Sequence, residues 1–162
     1  MPVGAASWSF TEEDFDAITQ SLQRFLTDSN ARCAILVDRT GQLVATVGEQ
    51  PNFDATAFAT LTAADFSAND QLAKLIGEQD FNCLFHQGER ESMYLADVAR
   101  RVILVVLFDN RTTLGLVRLR MKHTVDELTR LFQLMFQRGR SGQAARPNIL
   151  AGADDEIDRL FQ

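Results

Sequence analysis

The sequence predicts an α/β (α+β) fold: a five-stranded, mostly antiparallel sheet sandwiched by helices, in the order α-β-β-α-β-β-β-α. Three observations carry this expectation. Val102-Ile103-Leu104-Val105-Val106-Leu107-Phe108 is an unbroken apolar run, the pattern of a strand covered on both faces at the middle of a sheet. Apolar segments on either side of Asp38-Arg39-Thr40-Gly41, and again around Gly88-Glu89-Arg90, read as hairpins. Three stretches repeat their apolar residues every three or four positions, the period of a helix that covers a core.

In chain order, Phe15, Ile18, Leu22, Phe25 and Leu26 mark helix 1 over residues 12–27, with Thr11 as its cap and Glu12, Glu13 and Asp14 suiting the positive end of the helix dipole. Cys33 to Val37 and Leu43 to Val47 are the first two strands, and Gly41 takes the turn position that needs permissive dihedrals. Residues 53–76 contain no further Gly or Pro and form helix 2, closed by Gly77. Its aliphatic residues Phe58, Leu61, Ala68, Leu72, Leu75 and Ile76 are expected to face the core, with Asp65 as the one interruption. The adjoining face carries Thr60, Ala63, Ala64, Ser67, Gln71 and Lys74, mostly small side chains that let another helix approach closely. Residues 81–87, 92–98 and 102–108 are the last three strands. Leu114, Val117, Met121, Val125, Leu128, Phe132 and Met135 carry helix 3 to about Gln137. The expected organisation is an N-terminal arm (1–11), one domain (12–138), a flexible linker (139–150) and a short acidic amphipathic C-terminal helix (151–162).

A chain of 162 residues, 46% apolar and 23% charged, suffices for one ordinary globular core. The net charge of −6 argues against nucleic acid as a partner, because phosphate contacts need a basic surface. The charge is uneven: residues 1–110 hold 7 Lys/Arg against 16 Asp/Glu, whereas residues 111–140 hold 7 against 2. One basic segment therefore lies inside an acidic protein. No apolar stretch is long enough to span a membrane, no signal-like segment opens the chain, and Cys33 and Cys83 form no disulfide framework. Those features lead us to expect a cytoplasmic protein without a membrane partner.

Motifs for nucleotide hydrolysis, dinucleotide binding, zinc proteolysis and serine hydrolysis do not occur. His86 and His123 have no Cys or His at ligand spacing, so neither a metal nor a cofactor is expected. Glu89 and Glu91 flank Arg90 in a turn, where a shielded and tuned acid/base pair is not expected. No catalytic residue is assigned. Near the C-terminus, Ile157, Leu160 and Phe161 fall on one face of an acidic segment and form a candidate docking element.

Four segments together resemble the Roadblock/dynein light chain family, most closely its bacterial MglB-type branch. They are Ile35-Leu36-Val37-Asp38-Arg39-Thr40-Gly41-Gln42-Leu43, Leu72-Ala73-Lys74-Leu75-Ile76-Gly77-Glu78, Phe85-His86-Gln87-Gly88-Glu89-Arg90, and the stretch from Val105 through Asp109-Asn110-Arg111-Thr112 to Leu119. The acidic segment Asp154-Asp155-Glu156-Ile157-Asp158-Arg159-Leu160-Phe161 is similar to that branch's C-terminal helix. The resemblance implies a homodimer whose sheets join and whose second helices lie side by side. On that platform one small Ras-like GTPase of the MglA type would bind two protomers, and its GTP hydrolysis would be accelerated without an arginine finger. It also implies a role in bacterial polarity and motility, with concentration at a cell pole and a polarity adaptor as a further partner.

Helix 2 departs from the family pattern. Ala64 and Gln71 stand where glycines are common, and Phe66 is bulky for an exposed helical position. Either the partner is shaped to match or activation is weakened. Two other readings therefore stand beside GTPase activation: a scaffold that binds a GTPase or adaptor without changing hydrolysis, and nucleotide-exchange promotion through the C-terminal helix.

Overall fold

Strand β5 (Val102–Phe108) is the axis of the molecule. In a computed structural model that describes residues 10–160, and side chains for 10–139, it pairs antiparallel with β1 (Cys33–Asp38) on one side and β4 (Ser92–Val98) on the other. Strands β2 (Leu43–Gly48) and β3 (Cys83–Gln87) complete an antiparallel sheet of order β2-β1-β5-β4-β3. The central place of the unbroken apolar run is thus as expected, and both of its faces are covered.

Side chains alternate along the strands, so the sheet has two separate cores. Ala34, Leu36, Leu104 and Val106 point to one face, where they pack with Ile18, Leu22 and Phe25 of α1 (Glu12–Ser29) and Val117, Met121, Leu128 and Phe132 of α3 (Leu114–Leu160). Cys33, Ile35, Val37, Leu95, Ile103 and Val105 point to the other, where Ala59 and Phe66 of α2 (Ala55–Leu75) cover them. Burial pushes the Cys33 thiol up to about 11, which leaves it a small, unreactive apolar side chain.

Local chemistry fixes the element ends. Thr11 and Asp14 form a reciprocal capping box: Asp14 N–H donates to Thr11 Oγ1 at 3.1 Å, and Thr11 N–H donates to Asp14 Oδ2 at 3.2 Å. In the β1–β2 turn, the buried Asp38 carboxylate accepts from Thr40 N–H at 2.9 Å, Thr40 Oγ1 at 2.6 Å and Gln42 N–H at 2.9 Å. Gly41 follows with a φ of 95°, and a Cβ there would come 3.3 Å from the Thr60 Cα. The turn therefore lies directly against α2.

Several boundaries differ from the sequence reading: α1 runs to Ser29 rather than residue 27, and α2 spans Ala55–Leu75 rather than 53–76. Strand β3 begins at Cys83 rather than residue 81. Helical backbone in α3 continues past Gln137 to Leu160, through 139–150, which the sequence assigns to a linker. Gly142, Pro147 and Gly152 are isolated among good helix formers such as Gln143, Ala144 and Ala145. Residues 1–9 of the expected N-terminal arm, and the side chains of Ile157, Leu160 and Phe161, lie outside what the structure describes.

Candidate functional site

Helix α2 is seated on the sheet by an unusual face. Asp54 caps it, accepting from Thr56 N–H at 3.0 Å and Ala57 N–H at 3.3 Å. Its buried residues are Ala59, Thr62, Phe66, Asn69 and Ala73, spaced three, four, three and four apart and hence on one side. Only Phe66 among them is large, and it is completely buried. Of the residues assigned to the core from sequence, Phe58 does pack against it, but Ala68 is exposed and Leu61 is 69% exposed, Leu72 57%, Leu75 81% and the adjoining Ile76 70%. For these exposed residues the assignment is corrected. The turn at Gly41 comes so close to the helix backbone that only small residues fit beneath its first half, and Phe66 fills the remaining space above Ile35, Val37 and Ile103.

The exposed side of α2 is therefore an apolar stripe of Ala57, Leu61, Ala64, Ala68, Leu72 and Leu75. Each leucine would contribute about 1.5–3 kcal/mol if fully buried, so several are a large unrealised driving force on a small protein. Of the partner-facing residues expected from sequence, Thr60, Ala64, Ser67, Gln71 and Lys74 are exposed on and beside this stripe. Ala63 is half-buried, with its Cβ against the Gly41 turn. Sequence reading missed the leucines as surface residues. The available signal was the set of small or polar residues Ala59, Thr62, Asn69 and Ala73 at helical spacing.

Asp65, read as an interruption of a buried stripe, is half-buried and its Oδ2 lies 2.6 Å from His86 Nε2. His86 belongs to β3, one of the two edge strands of the sheet. The helix stripe and a free strand edge are thereby tied together. An unpaired edge is a ready template for another strand.

At the end of the sheet where β2 and β5 finish and β1 and β4 begin, Arg32 and Arg111 knit four chain segments. Arg32 Nε donates to Glu49 at 2.7 Å and Arg32 also pairs with Glu91; Arg111 bonds Glu49 at 3.1 Å and Asp109 at 3.0 Å. Hydrogen bonds from Arg32 and Arg111 hold the Glu49 carboxyl below its usual range, and Arg111 does the same to Asp109. Groups lowered in this way stabilise the fold above their ordinary values, near 4, and lose that contribution as pH falls through the lowered ones. The expected result is an unfolding temperature nearly flat from about pH 7 to 5 that falls below about pH 4. Arg111→Gln should make that acid fall shallower, as should about 1 M salt, because the groups are exposed. A melting series in pH and salt checks this.

An open cavity of about 620 Å³ adjoins this corner, with Glu89, Arg90 and Glu91 on its rim. The pairing of Glu91 with Arg32 makes it an ion-pair partner rather than a tuned acid. Among the described residues no group of three or more His, Cys, Asp or Glu is placed to hold a metal ion, and no helix is long and apolar enough to cross a membrane.

Comparison with known proteins agrees with this geometry. MglB of Myxococcus xanthus, a solved structure, is 49% identical; the match covers 72% of this chain and 94% of that one, with a TM-score of 0.69. The gliding protein MglB of Thermus thermophilus is 32% identical over 78% of this chain and 96% of its own, with a TM-score of 0.73. An uncharacterized protein of Methanocaldococcus jannaschii is 30% identical over 122 residues, 75% of this chain and 98% of that relative. The Roadblock/LC7 domain profile matches residues 18–108, more than half the chain, and the protein belongs to the Roadblock/LC7 domain family, in which it is MglB-like.

Proposed function

We propose that this chain is a homodimeric, non-catalytic regulator that binds an MglA-type Ras-like GTPase across α2 and accelerates its GTP hydrolysis, two protomers to one GTPase. The observation that carries the reading is the exposed stripe of Leu61, Leu72 and Leu75 on α2, in a chain 49% identical to an MglB. Two such helices set side by side cover each other's leucines. Thr60, Ser67, Gln71 and Lys74 then remain on the rim as a polar surface for the GTPase. The open edge of β3 beside them supplies backbone groups through which the two sheets join.

Stimulation without an arginine finger suits the state of several arginines. Arg32, Arg39 and Arg111 are held by carboxylates of the same protomer, and Arg101 lies 4.9 Å from the centre of the Phe136 ring. The regulator then acts by holding the GTPase's own groups in line for hydrolysis. Its effect is smaller than the roughly 10³–10⁵-fold that a supplied arginine gives. The protein would work in the cytoplasm, concentrated at a cell pole, in polarity and motility.

Phosphate release from GTPase and GTP, with and without the purified protein, tests this. Stimulation of about tenfold or more is expected, within the upper bound just given. A complex that forms without faster release favours the scaffold reading instead. Faster release of labelled nucleotide that is lost on removing residues 148–162 favours exchange promotion through Ile157, Leu160 and Phe161.

A further inference from the structure

Helix α2 sits on the sheet with its leucines outward and Ala59, Thr62, Phe66, Asn69 and Ala73 inward. Burial of the leucines alone favours the reverse. Rolling the helix about its axis would bury Leu61, Leu72 and Leu75 at the expense of Phe66 and of the close fit at Gly41, so apolar packing by itself sets the angle loosely and a directional contact is suited to fix it. We infer that Arg39 is that lock, a positioning residue that sets how α2 presents its contact face. The inference rests on the proposal that this face is where partners bind.

Arg39 stands in the β1–β2 turn. Its Nη1 donates to Asp70 Oδ2 on α2 at 2.7 Å, and its Nη2 donates to Asp97 on β4. The guanidinium lies 5.0 Å from the centre of the Phe66 ring, the one large side chain of α2 that is wholly buried. The Arg39 backbone N–H donates to the Arg101 carbonyl at 3.2 Å, which fixes the turn to the β4–β5 connection. One side chain therefore joins a turn, a helix and a strand. All three charged side chains are at least two-thirds buried, with exposures of 31%, 24% and 23%.

The geometry is suited to fixing rotation rather than merely adding attraction. A guanidinium is planar and offers donors in fixed directions, so two carboxylates on different elements bind it only at one mutual angle. Asp70 lies on the same side of α2 as Phe66 and Ala73, one turn from each. A roll that buried Leu72 would carry Asp70 off the guanidinium and lift Phe66 from beneath it. Lysine, with a single ammonium on a flexible stem, would keep a charge near the carboxylates without specifying that angle.

The test uses the full chain in three variants and compares unfolding temperature with self-association by analytical ultracentrifugation. Arg39→Lys retains a positive charge. The triple change Arg39→Met, Asp70→Asn, Asp97→Asn removes all three charges together, so no carboxylate is left buried and unpaired. Leu72→Arg tests the contact face itself. Arg39→Lys is expected to melt within a few degrees of the parent yet associate at least about tenfold more weakly, and the triple variant to do the same. Parent-like association by Arg39→Lys would overturn the inference even if the triple variant failed to fold. If Leu72→Arg also leaves association intact, the contact-face proposal is what fails. If Leu72→Arg abolishes association while Arg39→Lys does not, only the lock is refuted.

Discussion

Leu72→Arg leaves the protomer folded and removes its assembly: the expected result is a monomer with an unfolding temperature within about 3 °C of the parent protomer. The side chain is 57% exposed in the protomer and touches neither core, and surface changes away from such features rarely exceed about 0.5 kcal/mol. In an apolar helix pair the same residue would be central. A guanidinium there loses its hydration without a carboxylate to replace it. Self-association should fall at least about a hundredfold, or roughly 2.7 kcal/mol. Stimulation of GTP hydrolysis should vanish with it, since the proposed surface is built from two protomers. Leu104→Ala, in the fully buried central strand, should show the opposite pattern, costing about 2–5 kcal/mol of stability with the α2 face intact. Unchanged stoichiometry in Leu72→Arg would refute the proposed surface.

The strands were legible because their environment is written in local pattern. A strand covered on both sides must be apolar at every position, and Val102–Phe108 is. A hairpin must turn where backbone is permissive, and Gly41 does so with a φ of 95°. The faces of α2 were not legible, because hydrophobicity marks a residue for burial without saying against what. Leu61 and Leu75 look like core residues from sequence and point away from the protomer, whereas Phe66 looked misplaced and is the buried anchor. Thr60, Ser67, Gln71 and Lys74 are exposed, where their polar groups keep their hydration. The lock at Arg39 joins residues 31 and 58 positions away in the chain, a proximity that only the folded topology creates.

Phe66→Ala should detach α2 before it unfolds the rest. Phe66 is the one large side chain of α2 that is wholly buried, among Ile35, Val37, Leu95, Ile103 and Val105, while Phe58 packs only partly against the same core. Truncating a buried aromatic residue costs about 3–5 kcal/mol. Here the loss is concentrated on one element, since Ala59 and Ala73 have little apolar area to compensate and the Arg39 guanidinium loses the ring beneath it. The core formed by α1, α3 and the opposite sheet face contains Phe25, Leu104, Met121, Leu128 and Phe132 and shares none of these contacts. The two cores should therefore separate in stability, as cooperative units within one protein often do. Native-state hydrogen exchange reads this directly: amides of Thr62 to Ala73 should lose most of their protection while those of Leu104 to Val106 keep theirs. Equal loss in both segments would mean that the sheet transmits the defect and that α2 is not an independent unit. The expected asymmetry has a functional consequence, because a helix whose wholly buried side includes just one large residue gains much of its remaining stability from whatever covers its leucines. Binding a second protomer should then restore exchange protection to α2 in proportion to the face that is buried, which makes the helix most ordered when it is assembled to receive its partner.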